Sequence, residues 1–459
     1  MYFKDLSISD PKDLLFGIAP NPINTKRGLQ IGGGIVYPEL NFTLPPIEVS
    51  ISNQEAIFKQ YSDIATGALK RAVELHSNGL ILELETVVEM TQYPEIGVGI
   101  VTRMNDICEE YFIRHGLKTE IRLTPNDLRE FDRPPKMRTS KYLEPMFELF
   151  EAGALAGGDL LSIESTGGKE ISDDSLMMCD IRQFIFSQAI LGVRDMAFIW
   201  EKISAIAKKT GTTPGGDTAC AFGNTAMVLA EKKYIPKIFA AVARLATIVR
   251  SLVAFENGAM GPDKDCGYEG PFIKAITGAP ISMEGKSSAC AHSSPLGNVA
   301  GACADLWSNE SVQNIKLLAG MAPTVYLEQL EYDVRLMNTA LSQGKENALQ
   351  LQSLMVNSDI RFDPQAYILA PENVIEISKA IVQSDNHLEA TRSACLKGLD
   401  ILTEAFENDK LLIDEIEQVW FTTIREAVES IPTNEDEFIS EMMPVLDLSK
   451  LDLSGYGLT

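Results

Sequence analysis

Asn78-Gly79-Leu80-Ile81-Leu82-Glu83-Leu84 marks the passage from a helix to a strand. The Asn-Gly pair stops a helix, and the apolar run behind it reads as a strand. Upstream, Ser52-Asn53-Gln54-Glu55 has the form of a capping box, and Ile57, Tyr61, Ile64, Ala68 and Ala72 follow at helical spacing. Downstream the unit repeats, with Ile100, Met104, Ile107 and Tyr111 marking a helix that ends near Gly116 and leads into Glu120-Ile121-Arg122-Leu123. Alternating helices and short strands imply a parallel sheet.

Working outward, Leu160–Ile163, Ser251–Phe255 and Ala275–Thr277 are further strand candidates, with helices over Met196–Lys209 and Pro236–Val249 between them. Polar residues follow several different strands. A TIM barrel distributes its chemistry over its C-terminal face in this way, whereas a doubly wound sheet concentrates it at switch points. The expectation is an α/β protein with a TIM (β/α)8 barrel over residues 51–325. Residues 1–50, rich in Pro and Gly, read as an irregular lead-in holding one hairpin; Ile31-Gly32-Gly33-Gly34 is a tight turn there, since no helix pattern opens behind it. Residues 326–459 read as an added helical layer, with Ile413, Ile416, Trp420 and Ile424 as one stripe ended by Ile431-Pro432. Such a layer covers a barrel mouth or makes a subunit interface.

Composition narrows the function. The chain has 459 residues, 45% of them apolar, enough for a large core. Its 40 basic against 64 acidic residues give a net charge of −24, which repels phosphate backbones and anionic lipid, so nucleic acid and membrane surfaces are poor partners. The start, Met1-Tyr2-Phe3-Lys4-Asp5, lacks a basic segment followed by an apolar one, and no later stretch reads as a bilayer span. A cytoplasmic protein is expected. Seven scattered cysteines argue for reduced thiols rather than a disulfide framework.

Three Gly-rich segments behind apolar runs carry the chemistry. Leu160-Leu161-Ser162-Ile163-Glu164 delivers a carboxylate from the end of a buried strand, where burying a charge requires a partner. Cys220 closes Gly215-Gly216-Asp217-Thr218-Ala219-Cys220, and Cys266 lies in Gly261-Pro262-Asp263-Lys264-Asp265-Cys266-Gly267. Free cysteines are commonly inert packing residues. These two instead follow turn-forming glycines. Two thiolates and a carboxylate suit a zinc ion with its fourth position open, the arrangement of a catalytic site. Cys290-Ala291-His292 is a weaker candidate element, and Cys108, Cys179, Cys303 and Cys395 read as packing residues.

Longer runs then carry a resemblance. Ile163-Glu164-Ser165 with Gly167-Gly168-Lys169-Glu170, Lys208-Lys209-Thr210-Gly211-Thr212, Gly216-Asp217-Thr218 with Cys220-Ala221, and Asn224-Thr225-Ala226-Met227 resemble the zinc-binding subunit of methanol:corrinoid protein methyltransferases, the MtaB type. So do Arg250-Ser251-Leu252-Val253-Ala254, Lys264-Asp265-Cys266-Gly267-Tyr268-Glu269, Met283-Glu284-Gly285-Lys286 and Trp307-Ser308-Asn309-Glu310. The resemblance implies a TIM barrel with added helices and one zinc per chain on Glu164, Cys220 and Cys266. It also implies methanol as substrate, a corrinoid supplied in trans by a separate corrinoid protein, and a homodimer within the larger complex.

The reaction so implied joins the methyl group of methanol to Co(I) with loss of the oxygen. Ionising the alcohol would make it a worse leaving group, so a nearby acid should help; Asp217, Glu256, Glu284 and Lys286, placed near strand ends, are the candidates. Two rival readings stay open: a zinc methyltransferase working between a corrinoid and a thiol or another methoxylated substrate, and a non-catalytic scaffold that docks a corrinoid protein. A corrinoid-binding domain of the relevant kind would carry Asp-x-His-x-x-Gly. The nearest approach here, Asp385-Asn386-His387-Leu388-Glu389-Ala390, has alanine for the glycine.

Overall fold

The computed structural model describes residues 2–43, 47–285, 296–312, 316–317 and 320–458. Its frame is a curled parallel sheet. After the hairpin strands β1 (Ile18–Asn24) and β2 (Gln30–Gly33) come β3 (Tyr37–Thr43), β4 (Leu80–Glu85), β5 (Thr119–Thr124), β6 (Leu160–Ile163), β7 (Thr213–Asp217), β8 (Ser282–Glu284) and β9 (Leu306–Val312). The seven parallel strands run in the order β7-β6-β5-β4-β3-β9-β8. This is barrel order with one stave absent between β7 and β8.

An irregular segment fills that gap. Met260 N donates to Pro214 O at 2.8 Å and Gly261 N to Gly215 O at 2.7 Å, while Ser282 N donates to Asp263 Oδ1 at 2.8 Å. The stretch Met260–Asp265 is thus the eighth stave, bonded to β7 through its backbone and to β8 through a side chain. Pro262 has no N–H to continue a ladder, so the stave never becomes a regular strand.

Two strand expectations fail here. Ser251–Phe255 lies in the helix Lys237–Glu256, and Ala275–Thr277 in the helix Gly270–Thr277. The first of these helices is buried from Ile238 through Phe255, packed between the barrel and the helix His387–Glu407. A helix apolar on all sides shows no amphipathic period, which is why its end resembles a buried strand. By length and composition it could also cross a membrane, contrary to the sequence reading, but it is wholly buried inside the protein.

The lead-in contributes more than a hairpin, because β3 pairs with β4 on one side and β9 on the other. The hairpin itself closes the N-terminal end of the barrel: Ile23, Leu29 and Ile31 pack with Tyr37, Ile81, Leu160 and Leu306 from the strands. From Ala322 onward every described regular element is a helix. Ile424 in that layer is buried, but Ile416 is 82% exposed and does not belong to the packed stripe.

With side chains alternating along each strand, every second residue points inward. At the N-terminal end Tyr37, Ile81, Leu160 and Leu306 pack together, with Glu120 buried beside them and ion-paired to Arg27, while Glu39, Glu83, Arg122, Ser162 and Ser282 are buried polar residues further along the strands. Arg122 ties part of this polar set together, donating to Glu39 Oε1 at 2.6 Å, Ser162 Oγ at 2.7 Å and Pro262 O at 2.9 Å. One guanidinium therefore joins β3, β6 and the irregular stave.

Candidate active site

Glu164 follows β6 directly, Cys220 lies three residues beyond β7, and Cys266 follows the eighth stave. Their donor atoms lie within 4.8 Å of one another, with Cys266 Sγ 3.2 Å from Glu164 Oε1. Cys266 is buried, while the Glu164 side chain keeps 28% of its surface open toward the mouth. Three distant segments meet because each leaves the barrel at its C-terminal end.

The electrostatics are those of a cluster in need of positive charge. Burial pushes the Glu164 carboxyl up to about 7 against the pull of Lys264. Its contact with Cys220, and then burial, hold Cys266 well above the ordinary thiol value. For Cys220 the bond to Cys266 pulls downward, but burial and Glu164 leave it raised. A cation among the three would reverse these directions, since a coordinating thiol is deprotonated.

Lys264, a residue the sequence reading passed over, supplies one positive charge. Its ammonium, 1% exposed, lies 2.5 Å from Asp265 Oδ1, 3.1 Å from Glu85 Oε2, 3.3 Å from Glu164 Oε1 and 3.4 Å from Glu83 Oε1. Asp265 is braced by Ser308 Oγ at 3.0 Å and Asn41 Nδ2 at 3.4 Å. The available signal was a charge inside an apolar strand: Glu83 between leucines and Arg122 between Ile121 and Leu123 make sense only facing a polar barrel interior.

The four proton-donor candidates separate. Glu284, 1% exposed at the end of β8, brings a carboxylate oxygen within 4.8 Å of the donor atoms of Asp265 and Cys266, and Tyr268 OH donates to its Oε2 at 3.4 Å. Asp217 is spoken for: its Oδ1 accepts from Ser165 N and Thr218 N, and its Oδ2 from Trp200 Nε1. It braces the Glu164 loop rather than facing the mouth. Glu256 is a correction outright. It ends the helix Lys237–Glu256, from which the chain enters the bottom of the eighth stave, and it bonds Tyr2 N and His387 Nε2 at the opposite end of the barrel. Lys286, Cys290 and His292 lie outside the described residues.

A carboxylate and two thiols converge on the C-terminal strand ends of a parallel barrel, the end at which TIM-barrel enzymes place their chemistry. Similarity to known proteins narrows the class. Residues 1–457 match the family model of the methanol-cobalamin methyltransferase B subunit. The chain is 38% identical over 445 residues to a methanol–corrinoid protein co-methyltransferase of Methanosarcina barkeri, covering 96% of this chain and 95% of that protein. A chain in the crystal structure of the methanol:cobalamin methyltransferase complex from the same organism matches with a TM-score of 0.95 at 37% identity over 99% of both chains. The chain belongs to the methanol-cobalamin methyltransferase B-subunit family.

Proposed function

We propose that this enzyme moves the methyl group of methanol onto the Co(I) of a corrinoid carried by a separate protein, with one zinc ion held by Glu164, Cys220 and Cys266. The observation that carries the reading is the convergence of those three donor atoms within 4.8 Å at the barrel mouth of a chain of this family. The donor set fits: two thiols and a carboxylate are zinc ligands, and three protein ligands leave a position for substrate. When bound, the ion supplies Lewis acidity toward the alcohol oxygen.

The chain's own groups do the rest. Lys264 offsets part of the negative charge of the ligand set and holds Glu164 Oε1 in place. Arg122 fixes the stave that carries Cys266 through the carbonyl of Pro262. Glu284 holds a proton for the departing oxygen in this reading, supported by the bond from Tyr268 OH that orients its carboxyl. The reading requires a mouth that admits the partner's flat macrocycle, so that cobalt and methyl carbon meet in line. Within this reading the chain works as a homodimer in a complex with the corrinoid protein, in the cytoplasm.

Ligand substitution tests the assignment. Cys220→Ala or Cys266→Ala should lose zinc and methyl transfer together, while Cys303→Ala and Cys395→Ala, both fully buried in the core, should keep both. Full zinc occupancy in folded Cys266→Ala would overturn the ligand set.

A further inference from the structure

Cys220 opens a wide helical turn, Cys220–Asn224, and the side chain at the far end of that turn reaches back to it. Asn224 Nδ2 lies 3.4 Å from Cys220 Sγ and 3.4 Å from the carbonyl oxygen of Cys266. One amide thus touches both cysteine-bearing loops.

The direction of that amide is settled by its other side. Arg244 Nη1 and Nη2 both donate to Asn224 Oδ1, at 3.3 and 3.2 Å. A guanidinium has no acceptor, so the oxygen must face Arg244 and the NH2 must face the sulfur. Arg244 is itself immobilised: it is 1% exposed, donates to Gln365 Oε1 at 2.9 Å and Gly223 O at 3.1 Å, and lies over the Tyr268 ring at 4.9 Å. A positive charge therefore polarises the amide that donates to Cys220.

We infer that Asn224, clamped by Arg244, is a positioning residue that hydrogen-bonds the Cys220 sulfur, fixing the spacing of the two thiolates and weakening the electron donation of one of them to the metal. The inference rests on the zinc reading above. An N–H bond to a thiolate draws charge from sulfur, so a metal bound there stays more electrophilic, which is what activating a poor leaving group requires. Arg244 and Asn224 act through Cys220 and need touch neither substrate nor corrinoid.

The test uses Co2+ in place of zinc, because thiolate-to-cobalt charge-transfer bands report the donor strength of the sulfur directly. Asn224→Asp keeps the contact with Arg244 while setting an oxygen against the sulfur, and Asn224→Ala removes the amide without adding charge. Both should move the charge-transfer band to lower energy, as a stronger sulfur donor requires, and, because the spacing of the thiolates is no longer fixed, weaken zinc in chelator competition about ten-fold or more. Circular dichroism identifies a variant that fails to fold, and the other then decides. An unchanged cobalt spectrum and unchanged zinc affinity in a folded variant would overturn the role of Asn224. A wild-type protein that takes up neither Co2+ nor Zn2+ would overturn the zinc reading itself, and this inference with it.

Discussion

Replacing Arg122 by methionine should be among the most damaging single changes away from the ligands. The guanidinium and Glu39 are both fully buried and 2.6 Å apart, so Arg122→Met leaves a carboxylate inside the barrel without its cation. Removing one partner of a buried ion pair costs about 3–5 kcal/mol. With an unfolding entropy of about 2 cal/mol/K per residue, a chain of this length loses about 3–5 °C in melting temperature. Burial already holds the Glu39 carboxyl above the ordinary value while Arg122 pulls it down, so the variant raises it further. A carboxyl raised in the folded state binds more protons folded than unfolded, and its contribution to stability falls as pH rises through that range. The deficit should therefore be small near about pH 5 and grow toward neutrality. Glu39→Gln in the same chain should restore at least half of it, since no buried charge is then left unpaired. Urea unfolding followed by tryptophan fluorescence at several pH values measures all three. A loss below about 1 kcal/mol, independent of pH and not relieved in the double variant, would show that Glu39 does not depend on Arg122 as its counter-charge.

Two further titrations and one spectrum follow. Burial pushes the Glu256 carboxyl up, but its contacts with His387 and Tyr2 N together hold it below the ordinary glutamate value, so it stabilises the fold above that value and loses the effect as pH falls through its depressed one. Glu256→Gln should then be less stable than wild type at neutral pH and equal to it in acid, with methyl transfer intact, whereas lost transfer in a folded variant would return Glu256 to the site. Glu331, 4% exposed and pushed up to about 7 by burial, has the opposite sign: Glu331→Gln should gain stability over wild type above pH 7 and none below about pH 4, as thermal melts across pH would show. Purified alone, the chain should show no corrinoid absorption; a stoichiometric corrinoid spectrum that vanishes in His387→Ala would contradict supply in trans.

The sequence and structure agree best where local pattern and tertiary environment point the same way. Leu160–Ile163 is a strand to the residue, because a short apolar run between a helix stop and a Gly-rich turn has few alternatives. Glu164, Cys220 and Cys266 come together because a parallel barrel places the ends of its staves at one mouth. The eighth stave was illegible for a physical reason: Met260-Gly261-Pro262-Asp263 has neither β-branched residues nor an unbroken set of N–H donors, and only its neighbours hold it extended. Lys264 and Arg122 were passed over because their meaning lies across the barrel. Nothing within five residues reveals that Arg122 faces Glu39 or that Lys264 faces Glu83. Glu256 misled for the converse reason, since its rank among strand ends came from reading a buried helix as a strand.

Metal analysis joined to turnover in one preparation decides whether zinc at this site does the chemistry. About one zinc per chain is expected, with formation of methyl-cobalt from methanol and cob(I)alamin, loss of both on chelation, and return of both when zinc is restored. Undiminished methyl transfer from methanol in a protein stripped of zinc would contradict that role of the metal.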